Sequence, residues 1–202
     1  FIMTIWGFFY GLELASSSLE QMIKLIYLEY IGISFTPAAW LIFTLIYTGF
    51  KKWYKPAILF SVFLIPIITF LMVLTNDYHH LHYSSVGISN SGPFPLLDLE
   101  FGPWYYIHTV YSYIAFLSGT FILWGRFRNA DPLYQTQSVF LIASGFFPIL
   151  FNLFYQSGII KPFSEIDLTP YAFLLTYLIL GFAIIRYRLF SLKPIAQNRI
   201  ME

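Results

Sequence analysis

The sequence predicts an all-α fold, a polytopic bundle of transmembrane helices with about six helices in this chain out of an expected seven. Three observations carry that prediction. Apolar residues make up 58% of the chain and charged residues 10%, where a soluble domain carries about 25% charge. Apolar runs of about 20 residues, enough for a helix to cross a bilayer core of roughly 30 Å, recur along the chain. The basic residues also alternate. Of 11 Lys and Arg, all but Lys24 and Lys161 fall in every second gap between these runs, at Lys51, Lys52, Lys55, Arg126, Arg128, Arg186, Arg188, Lys193 and Arg199. The other gaps carry Glu20, Asp77, Asp98, Glu100, Glu165 and Asp167. Short basic loops mark the cytoplasmic side. Loops near 50–55 and 126–135 are therefore expected inside, loops near 76–103 and 159–167 outside, and the C-terminus inside.

Helices are expected at about 1–14, 22–49, 56–75, 104–125, 136–158 and 168–189. The first begins abruptly in Phe1-Ile2-Met3-Thr4-Ile5-Trp6 and is too short to span, so a further helix is expected before residue 1, with an outer N-terminus. Gly102-Pro103 opens a helix whose first turn, Trp104-Tyr105-Tyr106, places aromatics at headgroup depth. Asp167 or Thr169 can cap the last helix, with Pro170 entering it. Pro37, Pro66 and Pro148 fall inside spans, where proline kinks a helix. The outer loop over 76–103 forms either a hairpin-like lid or irregular structure. Residues 1–190 make up the bundle, and 191–202 begin a cytoplasmic connector.

Polar groups at membrane depth are costly in lipid and turn toward the bundle interior or a water-filled cavity. Glu29 lies about two turns below the outer start of its helix, Asn152 and Tyr155 at matching depth in theirs, and His108 one turn in from Trp104. Glu13, Asn76, Thr169 and Tyr171 stand near outer ends, while aliphatic and aromatic residues dominate the inner half. Such convergence suits an outward-facing pocket for a small ligand, with Glu29 and Asn152 as the strongest pair. The competing reading is that these groups snorkel to the interface or hydrogen-bond one another as structural glue.

Other chemistries find little support. His79, His80 and His82 beside Asp77 invite a metal reading. Three histidines within four residues cannot readily converge on one ion, so a solvated loop with one structural histidine is the better expectation. No HExxH, GxSxG or phosphate-cradling loop is present, and the final helix has no Lys for a Schiff base. The many aromatics fit interface belts and packing, so no cofactor is expected. Cysteine is absent, which removes disulfides and thiolate metal sites, and the basic residues sit at helix ends rather than on a nucleic-acid-binding patch.

Several stretches carry a resemblance: Tyr30-Ile31-Gly32-Ile33 with Pro37 and Trp40, Tyr47-Thr48-Gly49, Thr75-Asn76 with His79 and Leu81, and Gly102-Pro103-Trp104. Tyr111-Ser112-Tyr113, Asn152 with Tyr155, Asp167-Leu168-Thr169-Pro170 and Arg186-Tyr187-Arg188-Leu189-Phe190 complete it. In this order and spacing the chain resembles, over nearly its whole length, the N-terminal seven-transmembrane sensor region of histidine kinases. The resemblance implies a plasma-membrane sensor that binds an unknown small ligand and works as a homodimer. It also implies PAS and kinase modules following on the same polypeptide, so this piece carries no catalysis of its own. With Tyr30 and Tyr111 added from the matching stretches, the candidate ligand-binding set is Glu29, Tyr30, Asn76, His108, Tyr111, Asn152, Tyr155, Thr169 and Tyr171. A small-molecule transporter or channel is the alternative; it would need a polar path through an inner half that Trp40, Phe43, Phe60, Phe63 and Phe121 dominate.

Overall fold

A computed structural model describes residues 1–50, 55–90, 94–157 and 166–189. The expected connector over 191–202 lies outside the described residues, as do parts of the loops near 50–55 and 159–167. The chain runs α1 (Ile2–Leu14), α2 (Leu19–Tyr47), α3 (Pro56–Leu74), the single turn α4 (Asn76–His79), β1 (Tyr83–Ser89), β2 (Leu96–Phe101), α5 (Pro103–Phe127), α6 (Pro132–Ser157) and α7 (Thr169–Tyr187). Among the described residues five helices are long and apolar enough to cross a membrane: α2, α3, α5, α6 and α7. The 13 residues of α1 rise only about 20 Å.

Packing makes a ring. α1 lies against α2 and α7, α2 against α5, α5 against α6, and α6 against α7, while α3 braces α2 and α5 from outside the ring. α1 crosses α2 at Gly32, where a Cβ would fall 2.5 Å from the Trp6 Cβ and 2.8 Å from the Trp6 backbone nitrogen. Any side chain there would force the two helices apart.

α2 starts at Leu19 rather than near residue 22. Its 29 residues extend about 43 Å, further than a bilayer core requires. The extra turn holds up a lid. Of the two expectations for the outer loop, the hairpin is the one realised: β1 and β2 pair antiparallel, Val86 opposite Leu99 and Ile88 opposite Leu97, with an irregularity between Tyr83 and Ser85. Alternation places Leu97, Leu99 and Phe101 toward Met22, Ile26 and Tyr30 of α2 and Val73 of α3, while Asp98 and Glu100 face out. The hairpin is then clamped to α5: the Gly102 N–H donates to His82 O at 2.8 Å and the Trp104 N–H to Leu81 O at 2.9 Å. Gly102 meets the Leu81 carbonyl so closely that no Cβ fits between them. Pro103 follows at the first helical position, as its missing N–H allows.

Other helix ends differ from the sequence reading as well. α6 begins at Pro132, a turn before residue 136. α7 stops at Tyr187, not 189, because Arg188 adopts a left-handed conformation (φ 50°, ψ 48°) and Leu189 turns back to pack with Leu123, Leu141 and Ala183. At the other end of α7, Leu168 holds the N-cap position, and the Asp167 side chain accepts the Thr169 N–H at 2.8 Å.

Candidate ligand cavity

The ring of α1, α2, α5, α6 and α7 lines a half-open cavity of about 460 Å³, within the usual range for small-molecule pockets. Its two ends differ. Toward the hairpin it is lined by Tyr30, Tyr105, His108, Asn152, Gln156 and Thr169; toward the basic loops by Trp40, Phe43, Phe116, Leu141 and Leu180. Ser144 and Thr176 lie between, but their hydroxyls are already engaged: Ser144 donates to Leu141 O at 2.7 Å and Thr176 to Ser144 O at 2.6 Å. No Lys, Arg, Asp or Glu side chain lines the space among the described residues.

Polar groups at the hairpin end are fixed by one another. The Tyr113 hydroxyl donates to Asn152 Oδ1 at 2.7 Å, and Asn152 Nδ2 reaches Thr169 Oγ1 at 3.4 Å, so one amide ties α5, α6 and α7 together. Gln156 Nε2 donates to the Tyr105 hydroxyl. Tyr30 roofs the cavity from α2. Its hydroxyl accepts from Tyr83 at 2.9 Å and lies 2.7 Å from His82 Nε2. Whichever of the two carries the shared proton, His82 Nδ1 is left buried with no partner. Burial, with the nearby charges of His108 and His79 adding to it, pushes the His82 imidazole down to about 3. His82 is thus the buried, structural member of the histidine group. His79 instead bonds Thr75 and the Leu81 N–H, and His80 is exposed in a left-handed turn.

The expected ligand residues separate into three places. Tyr30, His108, Asn152 and Thr169 line the cavity. Glu29 and Tyr155 do not. They belong to a second cluster at the hairpin end, where the Glu13 and Glu29 carboxyl groups face each other and Asp167, Tyr10 and Tyr155 lie close by. Glu29 is 3% exposed and its Oε1 has no hydrogen-bond partner. The Asp167 N–H donates to the Tyr10 hydroxyl at 2.7 Å. Burial raises the Asp167 carboxyl above the ordinary range, against an opposing pull from the Thr169 hydrogen bonds. Glu29 and Asn152 share no hydrogen bond. The remaining three turn elsewhere: Asn76 holds the hairpin turn, Tyr111 donates to Val62 O at 2.6 Å on α3, and Tyr171 is 56% exposed on the outside of α7.

The inner half, expected to be mostly aliphatic and aromatic, also holds a buried amide. Gln137, 4% exposed near the start of α6, donates to Tyr187 O at 2.8 Å and accepts from the Tyr47 hydroxyl at 3.2 Å. One side chain joins α2, α6 and the end of α7. Like Asn152, Gln137 carries an amide too costly to leave facing lipid.

Four of the five helices around the cavity are long and apolar enough to cross a membrane, and one of them, α7, ends beside Arg186 and Arg188. A family model described as the N-terminal 7TM region of histidine kinase matches residues 1–194. The chain belongs to that family. No curated protein and no solved structure matches it. As a 7TM region of this kind it is a multi-pass membrane protein and a sensor domain. The stretches that carried the resemblance now have physical roles. Gly32 permits the α1–α2 crossing, Asn76 and Gly102-Pro103 build the lid, and Asn152 with Asp167-Leu168-Thr169 fixes the top of α7.

Proposed function

We propose that this chain is the input region of a histidine kinase, binding a small molecule in the cavity and relaying its occupancy through α7 to kinase modules that follow on the same polypeptide. The observation that carries the reading is the course of α7. Thr169, Phe173, Thr176 and Leu180 form one wall of the cavity, and within two further turns the same helix ends at Tyr187, gripped by Gln137. A ligand that favours one placement of this wall necessarily biases the helix end, since coupling needs only different affinity for two arrangements. On this reading the basic loops and the C-terminus face the cytoplasm, where anionic headgroups attract Arg186 and Arg188, the membrane is the plasma membrane, and the working unit is a homodimer.

The test uses the full-length kinase in native membrane vesicles, with autophosphorylation as the readout and culture extract as the stimulus. Asn152→Leu unties α5, α6 and α7 at the cavity's top and should abolish the stimulated change while folded protein persists. Glu29→Gln reports on the separate carboxyl cluster. If both variants respond like the parent, the cavity is not the input site.

A further inference from the structure

Resting on the sensor reading above, we infer that the cavity takes an uncharged amphiphile, its polar head at the hairpin end between Asn152, Gln156 and Tyr105, and its apolar tail directed toward Trp40, Phe116 and Leu180. Three observations converge on this class.

The first is charge. No acidic or basic side chain lines the cavity among the described residues. A charged head brought out of water would find no counter-ion, and an unpaired ion in a low-dielectric interior is strongly disfavoured. The carboxyl cluster of Glu13, Glu29 and Asp167 lies at the same end but does not contribute to the lining.

The second is polarity. From Gln156 to Leu141 the wall of α6 runs about 22 Å, and hydrogen-bonding capacity is spent unequally along it. In the middle, the Ser144 and Thr176 hydroxyls are committed to carbonyls, and beyond them the wall is aromatic and aliphatic. At the hairpin end, capacity is left over. Gln156 uses Nε2 on Tyr105, and Asn152 uses one N–H on Thr169. Gln156 Oε1 and the second Asn152 N–H have no partner among the described residues. Acceptor and donor side by side suit a hydroxyl, an amide or another neutral head that both gives and takes a hydrogen bond.

The third is shape. The tail end is walled by a stacked pair, Trp40 and Phe116, with ring centroids 5.0 Å apart and planes 12° from parallel. Gly145 comes so close to them that a Cβ would fall 2.6 Å from the Phe116 ring. Flat aromatic faces packed on a bare backbone make an apolar wall, which suits an alkyl chain; Trp40 Nε1, buried without a partner, turns toward Gly119.

The experiment reads Trp40 fluorescence in purified full-length protein in which the other four tryptophans, Trp6, Trp53, Trp104 and Trp124, are replaced by phenylalanine. Bromine quenches at contact. A decanol brominated at its terminal carbon should quench Trp40 saturably and several-fold more than a decanol brominated beside the hydroxyl. The equivalent decanoate at pH 8 and the decyl-trimethylammonium salt should quench no more than their partition into detergent gives. Gln156→Leu should weaken the decanol about tenfold, the effect of losing one hydrogen bond to the head. In case the single-tryptophan form does not fold, the thermal midpoint of the unaltered protein serves as a second measure, and decanol should raise it above both charged analogues. Equal quenching by all head groups, preference for a charged head, or equal quenching by the two brominated positions would each overturn the inference. Saturable decanol binding that leaves autophosphorylation unchanged would uphold the ligand class and sink the sensor reading instead.

Discussion

Asn76 offers the sharpest test of what a buried amide does here, because it stood among the expected ligand residues and the structure gives it another task. At 5% exposure, its Oδ1 accepts the His82 N–H at 3.1 Å and the Tyr83 N–H at 3.0 Å, while Nδ2 donates to Tyr83 O at 3.0 Å. One side chain thereby replaces the backbone pairing that the turn into β1 lacks. Asn76→Leu keeps the branched shape of the side chain, with somewhat larger groups, and removes all three bonds. At a net of about 1 kcal/mol each, closure of the lid should weaken by about 3 kcal/mol, and by more if the stranded N–H groups stay buried. That corresponds to roughly a hundredfold or greater shift in the opening equilibrium. Hydrogen exchange of peptides covering 76–103 should accelerate by about that factor, while peptides from α6 and α7 keep their rates. Asn76→Asp retains both acceptor contacts and loses only the donation to Tyr83 O, so its effect should be smaller. Exchange within threefold of the parent in Asn76→Leu would refute the account and return Asn76 to the candidate ligand residues.

Gln137→Leu removes the bonds to Tyr187 O and from the Tyr47 hydroxyl; at about 2 kcal/mol in all, exchange near 183–189 should rise roughly thirtyfold with the hairpin unaffected, and an unchanged rate would mean the helix end is held by packing alone. The His82 imidazole, pushed down to about 3 by burial, stays neutral in the closed lid while an opened lid lets it protonate near 6.5. Closure is therefore at full strength above pH 6.5 and should weaken by about 1.4 kcal/mol per unit as pH falls below that value toward 3; protease cleavage within 76–103 that is flat from pH 7 to pH 4 would contradict this. Because the chain has no cysteine, single substitutions report topology cleanly: Asn90→Cys should react with an impermeant thiol reagent in intact cells and Trp53→Cys should not, and the reverse would invert the orientation.

Depth was legible in the sequence and direction was not. The membrane-length runs, the Gly102-Pro103 helix start and the polar layer near the hairpin end all follow from properties of a single helix. Which side of each helix faces the cavity depends on contrast between a wet face and a dry one, and lipid removes that contrast because both faces are apolar. Tyr171 illustrates the failure. It lies at the right depth on α7, one residue from the buried Ala172, yet points out of the bundle. Glu29 is buried as its cost in lipid requires, but its partner is Glu13 across the α1–α2 contact, not Asn152. Depth could not separate those two outcomes, since both satisfy the same desolvation argument.

The end of α7 carries the consequence for signalling. Arg186, Tyr187, Arg188 and Leu189 read as one continuing helix, and a rigid rod leaving the membrane would follow from that reading. Instead Arg188 takes a left-handed conformation, which costs a side-chain-bearing residue about 1–2 kcal/mol, and Leu189 folds back to 3% exposure against Ala183. Removing a leucine from water returns about 1.5–3 kcal/mol, of the same order as the cost of the reversal, and the Gln137 bond to Tyr187 O holds the helix end as well. On the relay proposed above, a cap of this kind turns a small change in the cavity wall into a choice between a helix that stops at Tyr187 and one that runs on. Leu189→Ala removes the burial and leaves the Arg188 penalty, so it should favour the continuous form. If hydrogen exchange of 186–189 in that variant matches the parent, the cap is fixed and the relay must lie elsewhere.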